Sequence, residues 1–145
     1  MPIVDGDKAG DGYRKKLLKC ATPPPVILQL DDGLALEDAI AWLLAPSTED
    51  HWNAIKEILP DVKAGDEASL VAALDECKTY WKAHEELLGV LSGNSESIQR
   101  LNRFCDGLCD LAITEETEQS CWREDTTHTS GKPTRHWRWT PDEES

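Results

Sequence analysis

The chain has 145 residues, of which 39% are apolar and 30% charged, enough for one domain with a modest core. Asp and Glu number 28 against 15 Lys and Arg, and the formal charge of −13 repels nucleic-acid phosphates and anionic lipid while attracting basic surfaces. Direct nucleic-acid binding is therefore not expected, no apolar run reaches the roughly 20 residues of a membrane span, and five cysteines without a secretion signal read as reduced thiols of a cytoplasmic protein, two or three of them in its core.

Residues 1–12 are polar and Gly-rich. Asp5, Asp7 and Asp11 begin like a calcium loop, but Ala9 stands where a third oxygen ligand belongs and Lys16 where the closing Glu would be, so the stretch reads as a flexible N-terminus. Tyr13 to Cys20 gathers Arg14, Lys15, Lys16 and Lys19 around Leu17 and Leu18, one or two helical turns whose basic patch serves either its own acidic surroundings or a contact. Pro23, Pro24 and Pro25 stop any helix, and Val26 to Leu30 is an extended apolar run of strand length. After Asp31, Asp32 and Gly33 the period turns helical, with a helix near 34–45 that points Leu36, Ile40, Leu43 and Leu44 inward and carries Glu37 and Asp38 in its first turn. A second helix near 48–59, capped through Ser47 and Asp50, turns Trp52, Ile55 and Leu59 inward between Pro46 and Pro60.

The passage Val26 to Ala45 is similar to the opening strand, acidic loop and helix of nucleoside hydrolases, a likeness carried by Asp31, Asp32 and Asp38. It ends there, because no matching Asp, Thr or His context follows and the chain is too short for such an α/β enzyme. A strand-to-helix connection with a carboxylate-rich helix start accounts for the same residues.

The longest periodic stretch runs from Asp66 to Thr114. Leu70, Leu74, Cys77, Trp81, His84, Leu88 and Leu91 form one helical stripe, and after Ser92, Gly93 and Asn94 a second follows in Ile98, Leu101, Cys105, Leu108 and Ala112. The spacing predicts helices over 66–91, capped by Asp66, and over 95–114, facing each other as an antiparallel hairpin with Trp81 and Leu88 in the core. Gly107 sits inside the second helix at a cost of roughly 0.5–1 kcal/mol relative to alanine, which suits a bulky neighbour such as Trp81. Beyond an acidic linker, Cys121–Arg123 and His136–Trp139 read as two strands of a hairpin, and three tryptophans within eighteen residues favour order over a disordered tail. Residues 141–145 read as a frayed acidic end.

The resulting expectation is a mainly α fold, a small helical bundle around a central antiparallel helical hairpin, with a short extended segment near 26–30 and a C-terminal β-hairpin. The divisions are 1–12 (flexible), 13–114 (helical domain) and 115–145 (acidic linker and Trp-rich segment).

No catalytic or cofactor motif stands out. His51, His84, His128 and His136 are scattered, and there is no nucleophile elbow, phosphate loop or dinucleotide turn. His84, Cys105 and Cys109 would meet across the predicted hairpin as three zinc ligands, but the short-knuckle spacing is absent and cysteines also serve as small apolar core residues, so no metal and no cofactor is assigned. On a strand, Trp137 and Trp139 face one way and His136 and Arg138 the other, the composition of a contact hot spot or of a cover over the helical core. Glu85 and Glu86 lie off the first stripe, and Asp106 and Asp110 extend the charge along the next helix.

The sequence thus points to a non-enzymatic acidic protein, a small inhibitor or adaptor that binds a basic, nucleic-acid-handling protein partner in the manner of a DNA mimic or anti-defence protein. Its contacts would run through Glu85, Glu86, Asp106 and Asp110, or through Trp137 and Trp139. The alternatives are a self-associating structural protein and an unrecognised small enzyme; the oligomeric state is open.

Overall fold

The computed structural model describes residues 1–77 and 79–141; the acidic end expected at 142–145 lies outside them. Among the described residues are six helices and a four-stranded sheet. They divide into two compact units, one spanning Glu37–Asn102 and one that joins Met1–Leu36 to the chain from Arg103 onward. The divisions 13–114 and 115–145 drawn from the sequence follow neither.

In the unit built from the two ends, strand β1 (Ile3–Val4), helix α1 (Lys8–Leu18) and strand β2 (Val26–Leu30) come first. The sheet has the order β1-β2-β4-β3, where β3 is Trp122–Glu124 and β4 is Arg135–Trp139. β2 pairs in parallel with both β1 and β4, and β3 closes the expected C-terminal hairpin antiparallel to β4. All five residues of β2 are buried, as fits an inner parallel strand covered on both faces. Arg14 of α1 reaches Gln29 on one face of the sheet. Phe104 stands against Trp122 and Trp139 on the other, with ring centroids 5.3 and 5.9 Å apart.

The N-terminal twelve residues are not the featureless terminus the sequence suggests. Asp7 caps α1 by accepting from the Gly10 N–H at 2.7 Å, and β1 lies on Leu28 and Gln29. Glycines at 10 and 12 depress helix propensity, so only the second half of this helix, within the turns expected over Tyr13 to Cys20, shows in the sequence. Gly10 is nonetheless required, since a Cβ there would stand 1.8 Å from the Asp5 carbonyl oxygen.

The second unit contains α2 (Leu36–Leu44, whose first residue belongs to the other unit), α3 (Glu49–Ile58), α4 (Glu67–Glu76), α5 (Trp81–Ser92) and the start of α6 (Ser95–Thr114). Its core is built from Trp52, Ile55, Leu59, Val62, Leu70, Leu74, Leu87 and Leu91. Asp66 caps α4 as expected, accepting from the N–H groups of Ala68 and Ser69. The cap of α3 is Thr48 rather than Ser47, whose hydroxyl instead donates to Leu44 O. Asn94 starts α6 by accepting from Glu96 and Ser97, and its amide donates to Pro46 O at 3.3 Å.

The continuous helix expected over 66–91 is two helices. α4 ends at Glu76, the Tyr80 N–H donates to Cys77 O in a turn, and α5 restarts at Trp81. The β-branched Thr79 and aromatic Tyr80 are poor helix formers, and the restart rotates the inward stripe. Ala83, Leu87 and Leu91 point inward, whereas Trp81 and Leu88, expected in the core, are 72% and 60% exposed. α5 packs against α3.

Candidate interaction site

Because the phase of α5 shifts, an apolar stripe that the sequence assigns to the interior faces out. Ile40, Leu43 and Leu44 of α2 and His84, Leu87, Leu88 and Leu91 of α5 line a groove of about 200 Å³ whose walls are almost entirely carbon. Trp81 stands one helical turn from His84 and Leu88 continues the same row. The groove holds one or two large side chains, less than the roughly 300 Å³ at which small-molecule pockets begin. The Nδ1 atom of His84 is buried there without a hydrogen-bond partner among the described residues. Between residues 37 and 102 there are thirteen Asp and Glu against five Lys and Arg, so the unit that carries the groove is strongly acidic.

The residues nominated from the sequence separate. Glu85 and Glu86 are exposed on α5 of this unit, and Asp106 is exposed on the part of α6 that belongs to the other. Asp110, half-buried in that other unit, accepts from the Thr117 hydroxyl at 2.9 Å. Trp137 and Trp139 are interior, 7% and 0% exposed, on the sheet face that carries Phe104. Cys105 and Cys109 are exposed, Cys121 is the buried thiol, and burial with neighbouring Cys109 and Asp106 raises the Cys105 thiol. Among the described residues no three His, Cys, Asp or Glu side chains gather in a metal-binding arrangement. Asp31 is engaged by Arg123 and Thr140, and Asp32 by Arg138.

The sheet face beneath α1 carries a buried polar network of Arg14, Gln29, His136 and Arg138. Gln29 Nε2 donates to Asp5 O at 3.1 Å and to Asp11 Oδ1 at 2.9 Å, which leaves its Oε1 to accept from Arg14 Nη1 at 2.7 Å and from His136 Nε2 at 3.0 Å. The proton of neutral His136 therefore sits on Nε2, and Nδ1 keeps its lone pair 3.9 Å from Asp125. Arg138 donates to Asp125 at 2.7 Å and Asp32 at 3.3 Å. Burial, reinforced by Arg138, pushes His136 down to about 4. For Asp125 burial acts the other way, but the donors on Arg138 and Thr127 outweigh it and hold the carboxyl well below its usual range. Asp11 is held low by Gln29 and Arg14. The alternation His136-Trp137-Arg138-Trp139 carried the face assignment correctly; what it lacked was α1, which buries the polar side.

A hollow of about 490 Å³ lies between the end of α6, the 115–119 segment and β4. Among its lining groups Arg135 binds Glu116 and Glu124, and Thr117 binds Asp110, while Trp137 Nε1 is buried with no partner among the described residues.

No family model matches the chain, and no curated protein and no solved structure shows significant similarity to it. The class that the fold defines is a mainly helical protein with a four-stranded mixed sheet.

Proposed function

We propose that the protein is a non-enzymatic acidic interaction protein, an inhibitor or adaptor that receives a basic amphipathic segment of a protein partner on the α2–α5 face. The observation that carries this reading is the outward row Trp81, His84 and Leu88 beside Ile40 and Leu43, set in an acidic unit. Helix-in-groove recognition supplies apolar anchors at such a site, and the surrounding carboxylates favour Lys and Arg at the anchor's flanks. Like charge weighs against a second copy of the chain as the occupant.

The test is affinity capture from the native host with wild-type and Leu88→Glu baits, followed by titration of the identified partner. A one-to-one complex that weakens with salt and is lost in Leu88→Glu supports the reading. Charge reversal of Glu85 and Glu86 to lysine flattens its salt dependence. A concentration-dependent homo-oligomer broken by Leu88→Glu would assign the face to self-association instead, and capture unaffected by that variant would discard the groove.

A further inference from the structure

A second site lies in the other unit, and its charge is of the opposite sign. The C-terminal half of α1 and the loop between β3 and β4 enclose a cleft of about 140 Å³ lined by Arg14, Lys15, Leu18, Lys19, His128 and Lys132. Five of these six side chains are basic. Lys15, Lys19 and Lys132 make no ion pair with any described residue, and two carboxylates of the adjoining network are already engaged, Asp11 by Arg14 and Gln29, Asp125 by Arg138.

Arg14 distinguishes this cleft from a chance gathering of surface lysines. It is 3% exposed, its Nη1 is held by Asp11 and Gln29, and its Nε is buried with no partner among the described residues. Held through Nη1, this guanidinium is a fixed part of the cleft wall, and a guanidinium is suited to a planar or tetrahedral oxyanion. His128 leans on the buried His136, ring centroids 5.9 Å apart, and adds a further donor at the rim.

We propose that this cleft binds the phosphate group of a small phosphorylated molecule, with Arg14 as the fixed group, Lys15, Lys19 and Lys132 as the charges that close around it and His128 as a hydrogen-bonding group at the rim. The volume admits a phosphate and little of what it is attached to. The net charge of the chain keeps a polyanion such as duplex nucleic acid away, so a small phosphomonoester fits and a nucleic-acid strand does not.

The experiment is a titration of the full chain, followed by amide and imidazole NMR, with inorganic phosphate, with a nucleoside monophosphate, and with chloride at matched ionic strength. Saturable shifts confined to residues 14–19 and 128–132 are expected for both phosphates and not for chloride. Affinity should fall about tenfold or more in the triple variant Lys15→Ala, Lys19→Ala, Lys132→Ala and stay unchanged in the control Lys56→Ala, Lys63→Ala. Saturation by the nucleoside monophosphate alone would place the recognised chemistry beyond the phosphate; saturation by both at similar affinity would confine it to the phosphate. Linear shifts with all three salts, or equal losses in both variants, would overturn the proposal as charge screening. Because Lys56 and Lys63 belong to the unit that carries the α2–α5 groove, failure here leaves the partner-binding reading untouched.

Discussion

His136 makes acid sensitivity a direct test of the buried network. Its folded pKa near 4 lies below the ordinary 6.5, so between those values the unfolded chain takes up a proton that the folded chain refuses. Unfolding then binds protons, and stability must fall as pH falls through that window. Two and a half units of separation amount to about 2 kcal/mol lost by pH 5 and about 3 kcal/mol by pH 4, with none lost above about pH 7. The carboxylates held low by their donors, Asp11, Asp31 and Asp125, contribute stability that is present at neutral pH and is lost only below about pH 4, so pH 5–7 isolates the histidine. Urea unfolding across this range, with hydrogen exchange of the β2 and β4 amides to report on that unit, measures the slope. His136→Gln keeps a donor toward Gln29 Oε1 and cannot titrate, so its stability should stay level where the wild type loses about 2 kcal/mol. Parallel profiles for the two proteins would refute the buried, neutral imidazole and the network drawn around it.

A Cβ at Gly107 would stand 2.3 Å from Trp122 Cδ1. Gly107→Ala should therefore cost about 1–3 kcal/mol in chemical denaturation despite the better helix propensity, and the loss should shrink in a Trp122→Ala background; a stabilised single variant would contradict that packing. Leu74→Ala should lower stability by about 2–5 kcal/mol, whereas Trp81→Ala and Leu88→Ala should each stay within about 0.5 kcal/mol; large losses at Trp81 or Leu88 would restore them to the core. Truncation after Thr114 removes β4, the inner partner of β2, so β2 amides should lose exchange protection and residues 1–36 should become sensitive to protease; a protected β2 would show that the sheet does not depend on its C-terminal strands.

Local chemistry was enough to place much of this chain from sequence. Val26–Leu30 is a strand because an apolar run sits between prolines and an Asp-Asp-Gly stop, α6 occupies 95–114, and Asp66 caps α4, all within a residue or two of expectation. The hairpin of β3 and β4 and the opposite facing of Trp137 and His136 also followed from alternation alone. Gly107 was read as making room for a large ring, but the ring is Trp122 and not the Trp81 that sequence reasoning named.

What only tertiary structure decided are the long-range pairings and the phase of α5. β1 owes its existence to Leu28 and Gln29, more than twenty residues away, and a two-residue strand has no pattern of its own to betray it. A heptad-like stripe survives on paper across 66–91, but a short turn at 77–80 rotates every later side chain, turning Trp81 and Leu88 outward and Ala83 and Leu87 inward. The same holds for Arg14, Gln29, His136 and Arg138: polar residues are placed at the surface by default because burying them is costly unless every donor finds an acceptor. That condition depends on partners up to 107 positions apart, and no local window of sequence contains both ends of such a bond.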